Sequence, residues 1–218
     1  MATKKAPPPN PNLLPLFSPA VMDDGTASLT KLKAQCASCQ ACPLHETRKN
    51  VVFGEGNATR PLIAFVGEGP GEHEDLAGRP FIGKSGQLLT QMIQAMGFAR
   101  EEIYICNAVA CRPPGNRPPE EEEVKACNRY LVGQLRAVRP QVVVTLGATA
   151  AKALLKGSRS LSEMRGQWLA WEDVPVRATF HPAYLLRKPA AKADTWKDLQ
   201  AVLKKLGRVL PETTPTTP

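Results

Sequence analysis

Leu62-Ile-Ala-Phe-Val-Gly67 runs directly into Glu68-Gly-Pro-Gly-Glu-His-Glu-Asp75, and this junction decides the fold. The first part is an unbroken apolar run ending at glycine, as expected of a strand covered on both faces. The second is a glycine- and acid-rich loop leaving that strand's carboxyl end. Three further runs read as strands: Ile103-Tyr-Ile-Cys-Asn107, Val142-Val-Val-Thr-Leu-Gly147 and Val176-Arg-Ala-Thr-Phe180. Helical spacing fills the intervals. Leu88, Leu89, Met92, Ile93 and Met96 share one face of a helix over 85–96, and 120–138 repeats apolar residues every three or four positions. Helices are also expected over 149–155 and 195–209. Strand–helix alternation predicts an α/β fold of three layers, α/β/α, around a central parallel sheet of four strands. Ligands of such folds bind at the carboxyl ends of the strands, so the loops after Gly67, Asn107, Gly147 and Phe180 carry the functional information.

The chain has 218 residues, 43% of them hydrophobic, which is enough to bury a core. No apolar run is long enough for a membrane span. Nor does the proline-rich start suit a signal-peptide core. Prolines 7, 8, 9, 11, 15 and 19 mark residues 1–28 as a disordered tail, and Pro211 to Pro218 marks 209–218 as a second. The folded domain is expected over 29–208. A net charge of +8 points to a polyanionic partner, most simply nucleic acid.

Six cysteines in a chain without an export signal call for a reason other than disulfides. Cys36-Ala-Ser-Cys39-Gln-Ala-Cys42 holds two overlapping C-x2-C pairs, and Cys111 and Cys127 follow farther on. Four such thiolates suit either zinc or an iron–sulfur cluster.

The first strand-end loop is neither a dinucleotide fingerprint nor a P-loop, and its acids would repel a pyrophosphate. They suit a neutral polar ligand or a cationic transition state. Gly78-Arg-Pro-Phe-Ile-Gly83 offers Phe81 as a stacking platform. Asn107, ending the second strand, can read a ligand with one acceptor and one donor. Cys111-Arg-Pro-Pro-Gly-Asn-Arg-Pro-Pro119 is a rigid loop, and glutamates 120–123 favour the start of the next helix. The fourth strand runs into His181-Pro-Ala-Tyr-Leu-Leu-Arg187. Between Arg177 and Arg208, eight Lys or Arg stand against two Asp, a charge suited to phosphate.

Taken together, these loops and the cysteines resemble the iron–sulfur (family 4) uracil-DNA glycosylases over about residues 36–206. The resemblance implies a hydrolase of base-excision repair that cuts the N-glycosidic bond of uracil in DNA by flipping the base out. It leaves an abasic site and frees uracil. It implies a [4Fe–4S] cluster held by Cys39, Cys42, Cys111 and Cys127. The spacing from Cys42 to Val51-Val-Phe-Gly-Glu-Gly56 matches the family, with Cys36 and Cys106 as departures. Phe81 would stack on uracil, Asn107 would read its edge, and the backbone at Glu68 and Gly69 would hold another of its groups. His181 would donate to the anion developing on uracil O2. Glu74, ahead of Asp75 and Glu68, would place the water and stabilise the cationic sugar. Leu185, Leu186 and Arg187 would enter the duplex, with Lys188 adding a phosphate contact. A monomer in the cytoplasm, associated with the nucleoid in a prokaryote, completes the expectation. The alternatives are a non-catalytic iron–sulfur DNA-binding or polymerase accessory module, and a zinc-binding structural protein.

Overall fold

A computed structural model describes residues 25–155, 157 and 159–208. The expected tails lie outside them, except that residues 25–28 belong to the first helix. Six strands are present: β1 Glu55–Gly56, β2 Ile63–Gly67, β3 Tyr104–Asn107, β4 Val142–Leu146, β5 Trp168–Trp171 and β6 Val174–Thr179. The helices are α1 Gly25–Ala37, α2 Leu44–Thr47, α3 Glu72–Ala77, α4 Lys84–Ala95, α5 Glu121–Val138, α6 Ala148–Leu154, α7 Leu161–Met164, α8 Pro182–Arg187 and α9 Lys192–Lys205. No helix among the described residues is long and apolar enough to cross a membrane.

The sheet order is β1-β3-β2-β4-β6-β5. The four expected strands form its parallel centre, paired β3–β2, β2–β4 and β4–β6. The expectation of four strands needs one correction, because a short antiparallel strand closes each edge. Two-residue β1 carries no periodic signal, and β5 is a four-residue edge strand whose burial alternates weakly.

Alternation along the central strands sends side chains to opposite faces. Ile63, Phe65, Ile105 and Val144 pack under α4 and α9, through Leu89, Ile93, Leu199 and Val202. Ala64, Val66, Cys106 and Val143 pack under α5, α6 and α7, through Leu131, Leu135, Ala150 and Met164. Three layers result, and Cys106 is a small core residue remote from the other cysteines. Helix α1 lies on α5, where Leu32 occupies the space that a side chain at Gly133 would fill.

Glutamates at the start of α5 act as the macrodipole argument requires. The Glu123 carboxylate accepts the Glu120 N–H at 2.7 Å and a bidentate pair of bonds from Arg117 at 2.9 and 2.6 Å. Helix α9 is tied to β6 by Asp198, which accepts from Arg165, Arg177 and Thr179, each through a side chain. This buried network holds the end of β6, from which His181 emerges.

Candidate active site and cysteine cavity

The chain crosses from β3, on one side of β2, to β4 on the other, so the topological switch point lies between the ends of β2 and β4. Glu68, just past β2, accepts a hydrogen bond from Thr149 Oγ1 of α6 across that point. Beside it opens a pocket of about 250 Å³ lined by Glu68, Gly69, Glu74, Phe81, Asn107 and His181. Ser85, Ala183 and the loop residues Pro113, Asn116 and Arg117 are also part of the wall. Six of the sequence candidates thus converge.

Phe81 has φ 53°, a left-handed conformation that costs a bulky residue roughly 1–3 kcal/mol. Surrounding structure enforces it. A side chain at Gly86 would overlap the Phe81 backbone, and one at Gly67 would overlap both the Phe81 ring and Asn107 Oδ1. The two glycines therefore let an aromatic ring and an amide close on the same strand end. Asn107 is 6% exposed, and its Oδ1 has no protein partner. A buried carbonyl oxygen left this way is an acceptor awaiting a donor.

His181 caps α8: its Nδ1 accepts the Ala183 N–H at 3.2 Å. In the neutral ring, Nε2 then carries the proton. Burial, aided by the Arg187 charge and opposed by Glu74, lowers its pKa to about 4. The ring is therefore a neutral donor at physiological pH. Its centroid lies 5.6 Å from that of Phe81.

Glu74 reaches the pocket wall with its carboxylate already engaged. Oε2 accepts from Gly71 N at 3.1 Å, and Oε1 accepts from Ile82 N at 2.9 Å and Gly83 N at 2.7 Å. It is a fixed anion that braces the Phe81 loop. Asp75, expected beside it as an acid of the site, does not line the pocket and points elsewhere. Its Oδ1 accepts from Lys49 N at 2.9 Å and Asn50 N at 3.3 Å, and the residue is 1% exposed. Successive helical residues diverge by about 100°, so only one of the two acids can face the pocket. Asp75→Ala is expected to lower stability by about 1–3 kcal/mol, since it strands two backbone donors. Thermal melting measures that loss, and the rate per folded molecule should stay close to wild type.

Leu185 requires a correction too. It is 1% exposed, so it belongs to the core and cannot enter a duplex. Leu186, Arg187 and Lys188 are exposed, as is Tyr184, which the sequence reading passed over. Its signal was available, one helical turn beyond His181.

Cys36, Cys39, Cys42, Cys111 and Cys127 all line a second cavity, between α1, the α2 segment and α5. N–H donors already point at three of the sulfurs. Arg129 Nη2 donates to Cys39 Sγ at 3.3 Å, Arg48 Nη1 to Cys111 Sγ at 3.2 Å, and Ala110 N to Cys127 Sγ at 3.3 Å. Burial pushes the Cys127 thiol up to about 12. At Cys39 burial acts in the same direction, but bonds from Tyr130, the Ala41 backbone and Arg129 outweigh it and lower the pKa. Among the described residues, no three His, Cys, Asp or Glu side chains are grouped to hold a single metal ion. A four-iron cluster makes a different demand, one thiolate per iron around a cavity, with N–H donors to the sulfurs. The lining fits that demand.

A mostly parallel sheet with an aromatic ring and an amide in a pocket at its switch point, and with five cysteines lining a second cavity, places the chain among α/β proteins that hold a ligand at the carboxyl ends of their strands. The chain belongs to the uracil DNA glycosylase superfamily, whose family model matches residues 53–200. It is 50% identical over 151 residues to the type-4 uracil-DNA glycosylase of Thermotoga maritima, covering 68% of this chain and 78% of that one. Identity to the type-4 enzyme of Archaeoglobus fulgidus is 40% over 197 residues, covering 87% and 96%. The type-5 uracil-DNA glycosylase of Pyrobaculum aerophilum is 34% identical over 150 residues, covering 61% and 65%.

Proposed function

We propose that this chain is a uracil-DNA glycosylase of the type-4 group, acting on uracil that has been flipped out of DNA. The observation that carries the reading is the orphaned Asn107 Oδ1 beside the strained Phe81 ring and the neutral His181. Uracil offers N3–H to that oxygen and O4 to the Asn107 amide group, while its flat face covers Phe81. Cytosine lacks the N3 proton and would leave Oδ1 unpaired. Sites built on such bonds discriminate steeply.

Catalysis follows from two ends of opposite demand. The C1′–N1 bond breaks with its electron pair passing to uracil, and the charge settles on O2, where the Nε2–H of His181 donates. The sugar is left electron-poor and faces Glu74, a carboxylate that three backbone donors keep in place. Glu68, with one oxygen engaged by Thr149, offers its other oxygen to the attacking water. Water adds to C1′ as Glu68 takes its proton, the uracil anion takes up a proton from solvent, and the products are an abasic site and free uracil. Every group that this route uses comes from one chain, and a monomer is part of the proposal.

Cys39, Cys42, Cys111 and Cys127 would hold a [4Fe–4S] cluster. Bound there, it would supply a cross-link between separate segments rather than chemistry at the glycosidic bond. Residues 111 and 127 bracket the loop that carries Pro113, Asn116 and Arg117 into the pocket wall, so the cysteines position that wall.

An oligonucleotide with a single uracil, treated with the protein and then alkali, is expected to break at that position. Matched oligonucleotides with thymine or cytosine should stay intact, the first because a pocket fitted to uracil would exclude the added methyl by shape. Intact uracil DNA, or equal cutting of all three, would refute the reading. Exposed Arg187 and Lys188 beside the pocket are expected to contact phosphate. Replacing both by alanine should weaken binding to any DNA and reduce the slope of log affinity against log salt by about one to two. An unchanged slope would put the DNA on another face.

A further inference from the structure

Tyr184 follows Ala183 of the pocket wall and stands one helical turn past His181. Its ring stacks on Phe180, with centroids 4.9 Å apart and planes 27° from parallel. Phe180 is also covered by the Arg165 guanidinium, 3.9 Å from its centroid. Partners this close take one ring face each, so Phe180 lies between them. Arg165 is anchored in turn by Asp198, 2% exposed, through a 2.9 Å bond from Nε to Oδ2. The result is a column of flat groups rising from a buried carboxylate to a ring 38% exposed. Tyr104 and Tyr130 are 1% and 4% exposed, so of the three tyrosines Tyr184 is the one that presents its ring to solvent. Exposed Arg187 and Lys188 stand three and four positions farther on, the spacing that shares a helix face. An aromatic side chain held flat at the surface beside cations has the composition of a nucleobase platform.

We propose that Tyr184 is a stacking platform for a second nucleobase, the one next to the flipped nucleotide in the strand. That base loses a stacking neighbour when uracil leaves the helix, and the Tyr184 ring replaces it. Arg165 and Phe180 act as positioning residues, since they fix the plane of the ring without touching DNA. The proposal rests on the glycosylase reading and names a subsite that the reaction at C1′ does not require.

A double cycle tests it, combining protein variants with DNA that carries a stable abasic analogue at the lesion position. The neighbouring nucleotide, on the 5′ side in one series and the 3′ side in another, either keeps its base or is replaced by a second abasic analogue. For the wild type, removing the neighbouring base on one of the two sides is expected to weaken binding by about 5- to 150-fold. Tyr184→Ala should bind both DNAs alike, and Tyr184→Phe should restore the difference. Melting curves set the folded fraction of each variant. Equal losses in wild type and Tyr184→Ala, on both sides, would overturn the platform and leave Tyr184 as packing for α8. Because uracil cutting by the wild type is measured separately, failure of the glycosylase reading and failure of this one are distinguishable.

Discussion

Replacing His181 with alanine is expected to slow uracil release by roughly a hundredfold to a thousandfold in single turnover at saturating protein. The ring has two separable tasks. Nδ1 accepts the Ala183 N–H and caps α8, and Nε2–H faces the pocket as a neutral donor. Loss of the cap alone costs about 0.5–2 kcal/mol of stability. The rate must therefore be taken per folded molecule, with melting as the check. His181→Asn separates the tasks: asparagine is a strong N-cap, so stability should return toward wild type while the rate stays low. The depressed pKa fixes the sign of the pH response. With the folded value at about 4 and the unfolded value at about 6.5, the unfolded chain binds the proton first. The stability held by the neutral ring is full above about pH 6.5 and is lost as pH falls toward 4. Protonation near pH 4 adds a hydrogen at Nδ1, which can then no longer accept the Ala183 N–H, so the hold that places Nε2–H should persist down to about pH 5 and fail near 4. A near-wild-type rate constant in His181→Ala would remove this residue from the chemistry.

The second large effect concerns the cysteine cavity. Cys39→Ala and Cys111→Ala are each expected to lose iron and most of the soluble protein, whereas Cys36→Ala should keep its iron. The proposed ligands reach one cavity from the loop before α2, the loop after β3 and the body of α5. Metal binding is then coupled to the folding of all three. Cys36 lines the cavity too, but it is 1% exposed at the end of α1, packed with Phe53 and Tyr130. Cys39, Cys111 and Cys127 receive N–H donors, two of them from the guanidiniums of Arg129 and Arg48, and the Leu44 backbone bonds to Cys42. Iron and sulfide analysis of the three variants, with their visible spectra, decides the matter. Loss of iron in Cys36→Ala alone would move the ligand set three residues toward the N-terminus.

The amino-acid order by itself determined the central strands, because fully covered strands must be nearly continuous in apolar residues. Amphipathic spacing did the same for α4 and α5. The strand-end loops were legible for a related reason: glycine, proline, acid and aromatic residues cluster where a chain leaves a sheet to build a site. Phe81, Asn107 and His181 could be named on those grounds before any contact was known, whereas the choice of four among the six cysteines came from the family resemblance. Only the tertiary structure decided between neighbours. Glu74 and Asp75 are adjacent acids on one short helix, yet one braces the pocket and the other caps residues 49 and 50. Tyr184, Leu185 and Leu186 are consecutive apolar or aromatic residues, yet the middle one fills the core and its neighbours face solvent. Composition cannot make that choice. A six-residue helix carries less than two full turns, too few for its own periodicity to mark an inner face, so the docking of its ends settles which side chain turns inward. The left-handed Phe81 and the stack beneath Tyr184 have the same origin, in segments far apart along the chain that meet only once the sheet has formed.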